Sequence, residues 1–426
     1  MMQPRQFEGL PLQGMTLHTR RTFCTTLAAA AAVTTLPIRA LFAQAGGNHL
    51  PGYKLVARTD RKRIAEAAAR YRKEKPETVT AVTSPKSPGG PHDFFSEADY
   101  FWPNPANPDG PYINRDGQSN PNNFNEHRKR MVRLSIQMPA LTASWVLTGN
   151  RGDGALAADH LRAWFVTAET RMTPNLEFSQ GVHGVSTGRN YGIIDTLHLV
   201  EVARAASLVA PALMTAADRD AVYGWFREYL HWMKTSEKGI AERDTKNNHA
   251  VCWALQAAEF ARLIGDEQTR TEVRTQYETL FLPKQMGPDG GFPLELARTK
   301  PYGYSIFNFD AMAMLCQSLS ESDAAIYSFA LPDGRGMCKG AAFLYPYLKD
   351  KSTWPYKKDV EHFDSWPVRS PGLLFTGLAC KRDEYLALWQ TLNPDPTDVE
   401  IIRNYPVRQP LLWLAGKQGS KARASS

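Results

Sequence analysis

Three stretches of the chain gather amides, imidazoles, guanidinium groups and phenols where loops run into helices. The first, NLEFSQGVHGVSTGRNYG at 175–192, carries Asn175, Gln180, His183, Arg189 and Asn190. The second, ERDTKNNH, carries Arg243, Asn248 and His249. The third, FPLELARTKPYGYSIFNFD, carries Glu295, Arg298, Lys300, Tyr302 and Tyr304. A glycoside hydrolase needs two carboxylates flanking the scissile bond, and Asp195, Asp244 and Glu295 are the candidates. The junctions are nevertheless richer in Asn, His, Arg and Tyr than in acids. That set suits removal of the weakly acidic C5 proton of a uronic acid. An amide or guanidinium aimed at the sugar carboxylate stabilises an enolate-like transition state. A base then takes the proton and an acid protonates the leaving O4. His and Tyr do this without a metal. No cluster of His and carboxylates has metal-ligand spacing, so neither metal nor cofactor is expected.

The stretch KNNHAVCW (246–253) places two amides and an imidazole before an apolar run. Asn is a good helix cap there, whereas a His in the first turn meets the positive end of the helix dipole, which disfavours its protonation. Trp253 and Gln256 share its helical face.

The elements that position these groups are almost all helices. Apolar residues recur at three and four positions over 124–149, 154–169, 192–210, 215–236, 247–266 and 267–286, with a polar amphipathic helix near 58–74 before them. Shorter helices are predicted at 304–319, 337–349, 370–379 and 382–391. Gly-Asn, Gly-Asp and Ser-x-x-Asp signals mark the turns, and Thr215 is a natural N-cap. Alternating β-branched runs are nearly absent. The expected fold is all-α, an incomplete toroid of antiparallel helical hairpins, with no fixed-period repeat of the solenoid kind. One end of such a ring forms a cleft, served by loops and helix N-termini. A Pro-, Gly- and Asn-rich stretch, 84–123, lacks any period and carries Phe94, Phe95, Tyr100, Phe101, Trp102 and Tyr112. A loop of that length in a folded domain is expected to be ordered and to line a site.

Composition narrows the class. The chain has 426 residues, 43% apolar and 22% charged, with a formal charge of +7. Its basic residues are dispersed among acids, so no nucleic-acid surface is expected. Modest positive charge still allows a cleft that attracts an anion. TRRTFCTTLAAAAAVTT, with Arg20 and Arg21 ahead of a short Ala-rich run and Ala43-Gln44-Ala45 after it, reads as an export signal of the twin-arginine kind. The run is too short to span a bilayer. The expected division is therefore a signal over 1–45, one helical domain over 46–415 and a disordered basic tail over 416–426. The protein is expected to be periplasmic or secreted. Of five Cys, Cys24 leaves with the signal, and Cys252, Cys316 and Cys380 read as small core residues, with no disulfide required.

Six segments together carry a family resemblance: SEADYFWPNP…DGPYINRDGQSNP, STGRNYGIIDTLHLVE, RDTKNNHAVCW, PLELARTKPYGYSIFNFDAM, DGRGM and WPVRSPGLLF. Over about 90–415 the chain resembles the alginate lyase superfamily of bacterial polysaccharide lyases. The resemblance implies an incomplete α/α toroid that depolymerises β-1,4-linked uronans. The family's Asn-His pair falls on Asn248 and His249, and its Arg and Tyr fall on Arg298 and Tyr304. In the better-known alginate lyases that Tyr stands in a Tyr-His-Asn context, whereas Tyr304 is followed by Ser-Ile-Phe-Asn. The departure leaves Tyr302 as a substitute and points to a side branch with a different or broader substrate range.

β-D-Mannuronate and β-D-glucuronate differ only at C2, and in both the C5 hydrogen and O4 leave from one face; L-guluronate requires opposite faces. One residue on the shared face therefore serves both proton transfers. Tyr304 is assigned that double role, with Arg298 lowering its pKa and Asn248 and His249 neutralising the carboxylate. In the alternative, His249 is the base and Tyr304 the acid. Tyr100, Trp102, Asn175, Gln180, Arg189, Asn190, Arg243, Lys300 and Tyr302 are expected substrate contacts. The expected partner is an anionic uronan such as polymannuronate, alginate or glucuronan, cleaved to products with a 4,5-unsaturated end. Two other readings are a hydrolase on a similar ring and a glycan-binding protein without turnover. The sequence carries no signal of oligomeric state.

Overall fold

A computed structural model of the chain describes residues 49–320 and 325–416. The expected export signal (1–45) and all but the first residue of the expected tail (416–426) lie outside the described residues. The helices fall into two kinds. One kind is buried on nearly every side. In α7 (Asn248–Ile264) only His249, Arg262 and Ile264 escape burial, and in α9 (Pro301–Leu319) only Tyr304 does. A helix that is apolar around its whole circumference must be walled in by others. The second kind buries a stripe, as α1 (Arg61–Tyr71) buries Ile64 and Ala68, and α8 (Glu267–Gln276) buries Thr269, Arg270 and Val273.

Packing follows that division. The inner helices α2 (Glu126–Thr148), α4 (Leu199–Leu213), α7, α9 and α11 (Pro371–Ala379) touch one another in that order. The outer helices α1, α3 (Arg151–Phe165), α5 (Ala216–Thr235), α8, α10 (Met337–Lys349) and α12 (Asp383–Thr391) back onto them. Short connections reverse the chain between inner and outer layers, so the N-termini of the inner helices come to one end. This is the expected all-α toroid of helical hairpins. Near the other end of the chain, the Leu50 N–H donates to the Leu414 carbonyl and draws the last turn against the first.

Local signals act as expected where they are strong. Thr215 accepts from the Asp218 N–H, Ser370 from Leu373 and Asp266 from Thr269, while Gly149 and Gly265 close α2 and α7 in the left-handed region. Two expected helices change type partway. The run expected as a helix over 192–210 begins instead as a 3₁₀ turn, Asn190–Thr196, before α4. Gly192 there lies so close to Ser179 that a Cβ would meet its Oγ at 2.2 Å. The helix expected over 267–286 ends at Gln276 and continues as a wider turn, Tyr277–Phe281, ahead of Pro283.

The long stretch 84–123 is ordered. It contributes β1 (Phe95–Glu97), parallel to β4 (Phe178–Gly181), and an antiparallel pair, β2 (Phe101–Trp102) with β3 (Ile113–Asn114). Asn123 donates to the Ala98 and Phe101 carbonyls, and Asn120 also donates to Phe101. Cysteine was misread at one position. Cys380 is not a lone core residue but is disulfide-bonded to Cys338, which joins α10 to the end of α11. Its apolar neighbours in the sequence concealed a position just past the last helical turn. Cys252 and Cys316 are free and buried. Among the described residues no helix is long and apolar enough to cross a membrane.

Candidate active site

The inner-helix N-termini open on a cavity of about 700 Å³ lined by Tyr100, Asp116, Gln180, Arg189, Tyr191, Asn248, His249, Arg298, Tyr304 and Arg403, among others. Such N-termini favour an anion. Asn248 is the first residue of α7, and its helix is capped by a carboxylate rather than by its own amide. Glu295 accepts from the Asn248 backbone N–H (2.9 Å) and from its Nδ2 (2.7 Å). Burial raises the Glu295 pKa, and the two hydrogen bonds from Asn248 oppose that.

His249, one residue on, is held from behind. Its Nδ1 lies 2.5 Å from Glu242 Oε1, and Asn190 Nδ2 donates to the other oxygen at 2.9 Å. Glu242 is the fully buried acid of α6 (Glu237–Arg243), a short helix started by Ser236 and absent from the expected elements. The Nδ1 contact with Glu242 fixes the orientation of the ring where it lines the cavity. Tyr191 covers the ring edge-on at 5.0 Å between centroids.

Arg298 and Tyr304 flank the N-terminus of α9. The Arg298 Nη2 donates to Tyr304 Oη at 3.2 Å and to Asp116 Oδ1 at 2.8 Å, and its guanidinium lies 4.2 Å from the Tyr304 ring centre. Burial works to raise the Asp116 carboxyl, but the hydrogen bond and charge of Arg298 outweigh it and hold it below the usual range. Arg298 thus pairs with Asp116, while Glu295 belongs to Asn248. Tyr304 Oη also meets Tyr100 Oη at 3.0 Å. Here the expectation of a lowered phenol needs correcting. Arg298 and Lys300 pull the Tyr304 pKa down, yet burial outweighs them and leaves it well above its ordinary value.

The remaining expected contacts divide. Gln180 and Arg189 line the cavity together: Arg189 Nε donates to the Gln180 carbonyl and its Nη2 to Gln180 Oε1, both at 3.1 Å. Gln180 sits at φ 51°, a costly backbone for a residue with a Cβ. Burial lowers the Arg189 pKa, and its guanidinium stacks over Phe101 and Tyr191.

Six expected contacts do not face the cavity. Tyr302 is fully buried against Trp354 and Phe363, with its hydroxyl on the Tyr347 carbonyl. Successive helical side chains point about 100° apart, so Tyr302 and Tyr304 diverge. Lys300 is buried beneath the tyrosines and pairs with Glu400 at 2.7 Å. Asn175 accepts from the Glu177 N–H in a local turn. Trp102 donates to the Gln118 carbonyl under Arg115, Arg243 pairs with its neighbour Asp244, and Asn190 serves Glu242.

The acids offered for hydrolysis are also engaged. Asp195 is buried against Arg128, Ser96 and Gln180, Glu295 caps α7, and Asp244 sits at the rim with Arg243. Sequence reasoning missed Asp116, Glu242, Tyr191 and Arg403. The last comes from α13 (Val399–Arg403) and pairs with Asp99 and Glu400, both at 3.1 Å. Asp116 lies 182 positions from Arg298 and Arg403 is as remote from Asp99 along the chain, while Glu242 and Tyr191 are single residues in polar stretches, so no local pattern marks them.

Comparison with known proteins follows the same line. The family profile described as alginate lyase matches residues 78–354. The fold is similar to that of an alginate lyase from Bacteroides ovatus, with 28% sequence identity, coverage of 85% of this chain and 96% of that one, and a TM-score of 0.71. It is also similar to an alginate lyase A1-III variant complexed with a tetrasaccharide, at 12% identity, 82% and 93% coverage and a TM-score of 0.50, a likeness of fold alone. No curated protein matches significantly.

Proposed function

Because the chain belongs to the alginate lyase family, we propose that it cleaves β-1,4-linked polymannuronate, and glucuronan as a second substrate, by same-face β-elimination. The observation that carries this reading is the meeting of Asn248, His249, Arg298 and Tyr304 around one cavity, at two helix N-termini that start 53 residues apart in sequence. Asn248 and His249 neutralise the uronate carboxylate and so acidify C5. The Tyr304 phenolate takes the C5 proton, the electron pair becomes the C4–C5 double bond, and the C4–O4 bond breaks. The same phenol then gives its proton to O4, so the enzyme returns to its starting state. Arg298 donates to Tyr304 Oη and steadies the phenolate.

The exported location is part of the same proposal. The leader with Arg20 and Arg21 supports it, as does the Cys338–Cys380 disulfide, a bond that persists in oxidising compartments. The test is an ultraviolet absorbance screen of polymannuronate, polyguluronate, glucuronan and hyaluronan with wild type, Tyr304→Phe and His249→Ala. Unsaturated product from polymannuronate, lost in both variants, is the expected result. Full activity in both variants would remove these roles, and activity on polyguluronate alone would defeat the same-face argument.

A further inference from the structure

Beneath Tyr304 lies a buried chain of groups that the elimination, as described, does not use. Tyr100 Oη stands 3.0 Å from Tyr304 Oη and donates to Glu400 Oε1 at 3.3 Å. Glu400 is nearly buried and doubly paired, to Lys300 Nζ at 2.7 Å and to Arg403 Nη1 at 3.1 Å. Lys300 Nζ also lies 5.1 Å from the Tyr100 ring centre and 5.9 Å from that of Tyr304. Two cations keep Glu400 ionised, and a carboxylate only accepts. A phenol has one proton to give. With that proton on Glu400, Tyr100 can only accept from Tyr304, so at rest both O–H bonds run toward Glu400.

We propose that Tyr100 is a positioning residue whose hydroxyl turns from Glu400 to Tyr304 when Tyr304 becomes the phenolate base. Rotation of one O–H bond makes the change and no heavy atom moves. Glu400 keeps Lys300 and Arg403 after the turn, so no buried charge is orphaned. Tyr304 gains a donor only in its deprotonated form, and an interaction made only in the reacting state raises kcat rather than binding. The charged groups around the two phenols are Arg298 and Asp116 at the cavity wall, Lys300 before α9, Glu400 and Arg403 on α13, and Asp99 in the loop carrying Tyr100. Of these, Glu400 and Asp99 oppose a phenolate, while Arg298, Lys300 and Arg403 favour it.

This inference rests on Tyr304 serving as the base, and the experiment separates the two. Full pH profiles of kcat and KM are measured on polymannuronate for wild type, Tyr100→Phe, Glu400→Gln and Tyr304→Phe, with thermal unfolding of each. Tyr100→Phe keeps the ring over Lys300. It is expected to lose about a hundredfold in kcat, as on removal of one oxyanion donor, with KM little changed and the alkaline rise in kcat moved to higher pH. Glu400→Gln removes the opposing charge and is expected to move that rise to lower pH. An unmoved profile in Tyr100→Phe, with or without a loss of rate, overturns the inference while leaving the lyase reading intact. A shift in the same direction for both variants overturns it as well. An active Tyr304→Phe would instead remove the reading on which it rests.

Discussion

Glu242 shows how one buried side chain sets another's chemistry. It holds His249 by Nδ1 and is itself held by Asn190. A hydrogen bond to a charged group contributes about 1.5–3 kcal/mol. Glu242→Gln weakens both bonds and is expected to lower kcat/KM about tenfold to a hundredfold and the unfolding temperature with it, as read by steady-state kinetics and calorimetry. Tyr304 makes a second prediction. Its phenol is raised by burial, so the base form fills only as pH rises, and kcat/KM should climb through the alkaline range. A profile without that climb would remove Tyr304 as the base. Asn248, His249, Arg298 and Tyr304 were legible because amides, an imidazole, a guanidinium and a phenol crowd helix starts. Lys300 and Tyr302 share that crowding and were misassigned, because adjacency in sequence does not say which way a first-turn side chain points. Glu242 and Asp116 left no trace, since one acid in a polar stretch looks like any other.

At the level of elements, α7 depends on a cap from outside itself. Asn247 makes no capping bond, and Glu295, from the next junction, satisfies both the Asn248 N–H and its amide. Glu295→Ala would leave two buried donors without partners, at about 1–3 kcal/mol each. We expect a clear fall in unfolding temperature by calorimetry, together with loss of activity, because the amide it orients faces the cavity. Glu295→Gln keeps one acceptor and should lie between. Periodicity revealed the long helices because burial on one face or all faces imposes a pattern of three and four. It failed at Asn190–Thr196, where close packing on Ser179 overrides an apolar run, and at α6 and α13, which are too short to show a period.

The whole molecule is tied by interactions distant in sequence. The Cys338–Cys380 bond closes a separation of 42 residues, which by chain entropy alone stabilises by about 4 kcal/mol. Reduction, or Cys338→Ser, should lower the unfolding temperature while leaving kcat nearly unchanged, since neither Cys lines the cavity. Acid acts through two buried imidazoles. Burial pushes His160 down to about 4 and His198 down to about 3, from 6.5 for a free imidazole. The unfolded chain then binds protons first, so their contribution is complete above about 6.5 and drains as pH falls toward 4. Denaturant midpoints measured across that window should decline, and His160→Gln should flatten the decline. Protonation of His198 would fall on Nδ1, which meets Ser135 Oγ at 3.3 Å, since Nε2 already donates to the Arg403 carbonyl at 2.9 Å. The toroid was legible as a succession of helices, but the pairing of α13 with the start of α4 joins residues about two hundred positions apart and has no signature in either segment.

Tyr304 is the one position of α9 that is not buried, on a helix hemmed in by neighbours along its length. On the proposed elimination the Tyr304 oxygen would be a fixed post. The sugar would then have to do the travelling, puckering until C5 and the bridging oxygen both came within reach of a single point. Once the double bond flattened the ring, that reach would be lost and the spent end would leave by its own change of shape.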